Sequence, residues 1–167
     1  MTGVPIQVIE KLQKQLGSER LLTASSDLLV YECDGFVIEK NSPDVVTFPR
    51  DTDDVAQIVK ICRSSGVPFL PRGAGTSLAG GCLPVGGGVM IVLTRMNQIL
   101  DINIRDRYAV VQPGVVNLHL TRELQGTGYH YAPDPSSQGA CTIGGNVATN
   151  SGGPHTLKYG VTTNHVL

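Results

Sequence analysis

The sequence predicts a fold that mixes helices with strands, and three observations predict it. A strongly marked helix starting at Thr52 sits between two short runs of β character, a strand–helix–strand unit of roughly thirty residues. Three more strand candidates follow between Val89 and Gln112. Two stretches, Pro71 to Gly81 and Ala132 to Gly153, are rich in glycine and nearly free of charge.

The elements follow in order. Pro5 to Leu16 places Ile6, Ile9, Leu12 and Leu16 at helical spacing, with Gly17 as the C-cap, and predicts a helix in an N-terminal appendage. Leu21 to Asn41 shows no clear period. Asp44 to Phe48 reads as a strand that stops at Pro49. In the next helix Thr52 is the expected cap, Asp53 and Asp54 favour the positive end of the dipole, and Val55, Ile58, Val59 and Cys62 form one stripe. Gly66 ends it, and Val67 to Leu70 enters as a strand that leads into the first glycine-rich loop. Val89 to Leu93 is wholly apolar, as a strand covered on both faces requires. Ile99 to Ile104 alternates, and Ala109 to Gln112 ends at Pro113. Asn117 is the expected cap of a helix running to about Gln125, and a short helix starts near Thr142. The chain stops at Leu167 just after an apolar start, a poor place for a domain to end.

Composition narrows the function. With 167 residues, 41% hydrophobic and 16% charged, the chain reads as globular. A net charge of −1 without a basic block gives no nucleic-acid footprint. The absence of Trp argues against a stacking platform for bases or sugars. Cys33, Cys62, Cys82 and Cys141 fit no zinc or iron–sulfur spacing and read as reduced thiols of a cytosolic protein. The N-terminus lacks the pattern of a signal peptide, and no apolar run is long enough to span a bilayer.

The first loop, Pro71-Arg72-Gly73-Ala74-Gly75-Thr76-Ser77-Leu78-Ala79-Gly80-Gly81, contains one Arg and no acid. Its glycines permit positive φ and close approach of a ligand to the backbone, and successive N–H groups in such a turn hold anions. A diphosphate is the ligand that most needs this combination. Leu78 occupies the third glycine position of a dinucleotide-binding fingerprint, and no Lys follows Gly80 as a Walker loop requires, so neither motif applies. The rival reading is an ordinary turn between strands. The second loop carries no charged residue from Ser136 to Gly153 and offers small hydroxyl and amide groups to a planar polar ligand. Thr142, Ile143, Gly144 and Gly145 at a helix start could aim N–H groups at a phosphate. Its rival reading is a solvent loop.

Six segments occur in order: Tyr31-Glu32-Cys33-Asp34-Gly35, Arg72 to Gly81, Val111-Gln112-Pro113-Gly114-Val115, Tyr131 to Gln138, Ile143-Gly144-Gly145-Asn146-Val147-Ala148 and Leu157-Lys158-Tyr159-Gly160. Together they closely resemble the PCMH-type FAD-binding domain of the vanillyl-alcohol-oxidase-like flavoproteins. Within that family the likeness is to the group of the glycolate oxidase D subunit and the D-lactate and D-2-hydroxyglutarate dehydrogenases. The resemblance runs from about Tyr31 to the end of the chain.

The resemblance implies an α+β, two-lobed FAD domain over residues 43–167, cut short in its second lobe, with residues 1–42 as an appendage. It implies that Pro71, Arg72, Gly73, Ala74, Gly75, Thr76, Ser77 and Leu78 wrap the FAD pyrophosphate. It implies further contacts from Pro133, Asp134, Pro135 and Ser136, then from Thr142, Gly144, Gly145, Asn146, Ala148, Asn150, Ser151, Gly152 and Gly153, and last from Tyr159 and Gly160. The first loop has no His, so the flavin is expected to be non-covalent. The implied reaction is oxidation of a small 2-hydroxy acid to a 2-oxo acid, with hydride passing to the flavin. The groups that orient the substrate lie beyond the matched segment in the family, so catalytic residues are not assigned. Expected partners are the iron–sulfur and second flavin subunits of a glycolate oxidase complex, with a cytoplasmic location and membrane association only through those subunits. The alternative is a non-catalytic flavin-binding or electron-relay subunit of such a complex. Arg72 has two readings, a pyrophosphate ligand or a loop anchor. Asp134, between two prolines, reads as a loop-fixing residue, and His155 is either flavin-facing or a turn residue.

Overall fold

The computed structural model describes residues 3–167. The chain divides into two compact units, Met1–Arg95 and Met96–Leu167. Helices and strands share both, so the class is α+β.

The first unit contains α1 (Ile6–Leu16), β1 (Leu21–Leu22), α2 (Ser25–Leu28), β2 (Val45–Thr47), α3 (Thr52–Ser64), β3 (Phe69–Arg72) and β4 (Val89–Val92). The sheet order is β1-β2-β4-β3. Both β2 and β3 run parallel to β4, and β1 is antiparallel to β2. The expected β2–α3–β3 crossover therefore exists but skips one place, and β4 fills it. All four β4 residues are buried, so this uninterrupted apolar run takes a central position where both faces are covered.

The helix α1 is not a separate appendage. Val8, Leu12 and Leu16 share one core with Val45, Ile58, Cys62 and Val89. The buried stripe starts at Val8, whereas Ile6 is 72% exposed, so the predicted face was rotated at its first turn. Gly17 ends α1 at φ 88° and its N–H donates to Gln13 O. In α3 the cap is Asp51 instead of Thr52. Asp51 is extended, and its Oδ1 accepts from the Asp54 N–H at 2.8 Å, while Thr52 is already helical. Ile58 and Cys62 are fully buried, and burial pushes the Cys62 thiol up to about 11. The aperiodic stretch after Leu21 folds as β1, α2 and one turn of 3-10 helix, Leu29–Tyr31.

The second unit opens with an antiparallel pair, β5 (Ile99–Asn103) and β6 (Tyr108–Val111). It continues with α4 (Asn117–Glu123), α5 (Ile143–Thr149), α6 (Thr156–Tyr159) and a 3-10 turn, Thr162–His165. Asn117 does not cap α4. It is 1% exposed, and its amide donates to Pro133 O and Asn146 Oδ1, each at 3.0 Å. The N–H groups of Asn117 and Leu118 at the helix start go instead to Cys141 O and Gln138 O. Carbonyls of the second loop thus take the role that a side chain was expected to play. The short helix expected near Thr142 is α5, and Thr142 caps it, its hydroxyl accepting from Gly145 N.

Candidate functional site

The two glycine-rich loops lie in different units, and they differ in how their backbone groups are used. Pro71 and Arg72 belong to β3, so the first loop proper begins at Gly73. Among the described residues, the N–H groups of Gly73, Ala74, Gly75, Thr76, Ser77 and Leu78 donate to no protein acceptor. Six neighbouring donors on an uncharged loop are the kind of donor set that an anion can use. Gly75 turns the chain at φ 70°, in the left-handed region. The Ser77 hydroxyl accepts from Ala79 N at 3.3 Å and keeps its proton for a ligand.

Two buried charged side chains hold this loop in place. Arg72 is 8% exposed. Its guanidinium donates to Cys33 O at 2.9 Å and to Cys82 Sγ at 3.3 Å, and it lies 5.7 Å from the centre of the Tyr31 ring. The backbone of Gly75 rests on it: a methyl at Gly75 would sit 2.1 Å from Arg72 Nη2. Arg72 is therefore a loop anchor, working through a carbonyl, a thiol and a ring and not through a salt bridge. Asp34 is the second anchor. It is 5% exposed, and its carboxylate accepts from Phe36 N at 2.8 Å and Gly80 N at 2.9 Å. Gly35 beside it meets the loop so closely that a methyl would lie 2.9 Å from Ser77 O. Residue-by-residue reasoning missed Asp34 because Asp-Gly looks like turn punctuation. Its only signal was its place in an ordered motif.

The second loop is mostly self-satisfied. At the start of α5, Ile143 N donates to Val115 O and Gly144 N to Pro113 O, both at 2.8 Å. Gly145 N goes to Thr142 Oγ1 and Asn146 N to Thr142 O. The expectation that Thr142 to Gly145 would aim free N–H groups at a phosphate is therefore corrected at Ile143, Gly144 and Gly145, whose N–H groups the protein already takes. Gly144 is glycine because a methyl would lie 2.7 Å from Pro113 Cβ. Asn146, 2% exposed, faces Asn117 and the Cys141 sulfur. Asn150 adopts φ 48°, and its Oδ1 accepts from Thr163 N and Oγ1. Ser151 O accepts from the fully buried Thr162 hydroxyl at 2.6 Å. Ser136 and Ala148 are exposed, Pro133 and Pro135 buried, and Gly152, Gly153, Tyr159 and Gly160 half-buried.

A cleft of about 240 Å³ opens in this unit, lined by His130, Ala132, Asp134, Gln138, His155 and Tyr159. Asp134 Oδ2 lies 2.5 Å from His155 Nδ1, and the other carboxylate oxygen accepts the His155 backbone N–H at 3.4 Å. The imidazole hydrogen bond holds the Asp134 carboxyl below its ordinary range. A depressed carboxyl stabilises the fold above the unfolded value of about 3.9, and that stabilisation is lost as pH falls through the lower, folded value. Asp134→Asn is therefore expected to flatten the acid limb of a plot of melting temperature against pH. An acid limb identical to the parent's would show that the pair contributes no pH-dependent stability.

A family model described as FAD binding domain matches residues 43–167. The chain is 44% identical over 160 residues to glycolate oxidase subunit GlcD of Escherichia coli (strain K12), covering 96% of this chain and 32% of that protein. It is 38% identical over 161 residues to a D-lactate dehydrogenase of Anaerostipes hadrus, covering 96% of this chain and 34% of that one. Among solved structures, alkyldihydroxyacetonephosphate synthase superposes with a TM-score of 0.86 at 25% identity, over 95% of this chain and 31% of that one. The chain spans about a third of the length of the curated relatives it matches.

Proposed function

The chain belongs to the FAD binding domain family, and on that premise we propose that it is the cofactor-holding part of a flavin-dependent 2-hydroxy-acid dehydrogenase of glycolate or D-lactate type. Its cofactor is FAD, and its fold is the α+β fold of PCMH-type FAD-binding proteins. The observation that carries the reading is the run of unpaired N–H groups from Gly73 to Leu78. Those donors, with the Thr76 and Ser77 hydroxyls, hold the pyrophosphate. Pro71 and Arg72 set the angle at which the loop leaves β3. Pro133 to Ser136, Gly152, Gly153, Tyr159 and Gly160 contact the remainder of the cofactor. Residues of α5 act mainly as the frame behind them. The flavin is held without a covalent bond.

When bound, FAD accepts a hydride from the carbon that bears the substrate hydroxyl, leaving a 2-oxo acid. This chain's own residues bind the cofactor and fix its orientation. Iron–sulfur and second flavin subunits are the expected electron acceptors, and the second loop's neutral amides and hydroxyls suit a planar polar ring. No helix among the described residues is long and apolar enough to cross a membrane. The names of the relatives favour this reading over a non-catalytic relay subunit.

The purified chain is expected to be yellow and to release FAD on denaturation, or to take up added FAD with quenching of its fluorescence. Its turnover of glycolate or D-lactate with a dye acceptor is expected to be weak or nil. A colourless preparation that ignores added FAD would sink the proposal.

A further inference from the structure

Asp134 is held more rigidly than an ordinary loop acid. Buried prolines flank it, Gly153 packs against its carbonyl, and both its carboxylate oxygens engage His155. That arrangement decides which imidazole nitrogen is free. Nδ1 is taken up by the hydrogen bond with the carboxylate, so Nε2 is the atom left for another group. The His155 side chain is 67% exposed and lines the 240 Å³ cleft. His130 and Tyr159 line the same cleft, their rings 5.9 Å apart, and Tyr159 lies 6.4 Å from the His155 ring. Lys158 Nζ lies 4.7 Å from the Tyr159 ring centre. The ionisable groups near the His155 ring are thus Asp134, His130, Tyr159 and Lys158, and Asp134, hydrogen-bonded to Nδ1, is the only carboxylate among them.

We propose that His155 contacts the FAD ring through Nε2 and places positive charge against it, with Asp134 as the positioning residue that fixes the imidazole. The inference rests on the proposed function and assigns a role that membership of the family does not. Hydride transfer delivers two electrons and one proton to the flavin, so the ring gains one negative charge. An imidazolium held in contact with the ring offsets that charge and favours the reduced form. A rigid Asp–His pair supplies it without reorganisation at the moment of transfer. The role needs no proton to leave His155, so electrons and protons balance within the hydride step.

The test uses this chain loaded with FAD. Long-range 1H–15N spectra of the imidazoles, recorded before and after FAD addition, should show the His155 Nε2 resonance move while His119, on the exposed side of α4, stays in place. In mildly acidic buffer the midpoint potential of the bound FAD should fall in His155→Leu and in Asp134→Asn. His119→Gln should leave it unchanged, and His155→Gln, which keeps a donor but no charge, should give a fall as large as that of His155→Leu. FAD affinity should weaken about ten- to a hundredfold in His155→Leu, the loss of one hydrogen-bonded contact to a charged group. An unmoved Nε2 resonance, or an unchanged potential in His155→Leu with FAD still bound, would overturn the role of His155 and leave the family reading standing. Failure of the parent chain to take up FAD would overturn both.

Discussion

Arg72→Ala is expected to remove FAD uptake and to cost about 2–4 kcal/mol of stability, the range for losing buried hydrogen bonds to a charged group together with the packing of its stem. The reason is geometric. The guanidinium sits under the loop, touching Cys33 O, Cys82 Sγ and the backbone of Gly75. Its removal leaves a hole below the turn and takes the donor from the half-buried Cys33 carbonyl. The loop from Gly73 to Leu78 loses the support beneath it, and an anion then meets a looser segment. Arg72→Lys separates this account from direct charge attraction. A lysine keeps the charge but cannot reproduce the planar fork. If Arg72 acts as an anchor, both variants fall in urea midpoint and both bind FAD poorly. If it acts as a pyrophosphate ligand, the lysine variant binds well and neither variant is destabilised. FAD titration and urea unfolding, run on the same two proteins, decide between them.

That anchor was half legible in the sequence. A lone Arg beside a glycine-rich turn suggests either a ligand or a brace, and the choice depends on what lies beneath it. Cys33 is 39 positions away in the chain, and no local pattern joins the two. The same limit hid Asp34. Patterns read well where burial is regular: α3 stands where its stripe puts it, β5 where its alternation does, and β4 where its unbroken apolar run does. They fail where tertiary contacts choose among equivalents. Asp51 and Thr52 are both good caps, and the extended conformation of Asp51 decided it. Asn117 has the chemistry of a cap, but the space beside Asn146 and Pro133 claimed its amide. The position of β4 between β2 and β3 was not readable from order alone, because a crossover of ordinary length can skip a strand.

The second loop shows the deeper limit. Its lack of charge suggested ligand contact along its whole length, yet neutral side chains also suit a segment that satisfies itself. The hydrogen bonds of Ile143, Gly144, Asn146, Asn150 and Ser151 are internal. Composition cannot distinguish a donor turned toward a ligand from one turned toward a neighbouring carbonyl. The first loop keeps its donors open because Arg72 and Asp34 hold it from below. The second spends most of its donors on its own frame and exposes a few side chains at the cleft.

Replacing Gly153 tests that frame most severely. A methyl there would lie 2.0 Å from Asp134 O and 2.3 Å from its carbonyl carbon. Both are backbone atoms, and Asp134 sits between buried prolines that cannot retreat. Gly153→Ala is expected to cost about 3–5 kcal/mol, the upper end for overpacking. At Gly152 the nearest atom is Thr156 Oγ1 at 2.3 Å, a side chain that can rotate, although it accepts the Gly153 N–H at 2.7 Å. Gly152→Ala should therefore cost less, about 1–2 kcal/mol, close to one lost hydrogen bond. Gly139 has nothing within 4 Å, so Gly139→Ala should be nearly neutral. Thermal or urea unfolding of the three variants reads the order directly. Gly153→Ala should also loosen Asp134 and with it the orientation of His155, because the same carbonyl contact fixes the acid. Equal losses at Gly152 and Gly153 would mean that the Asp134 backbone yields readily, and the rigid Asp–His pair would lose its support.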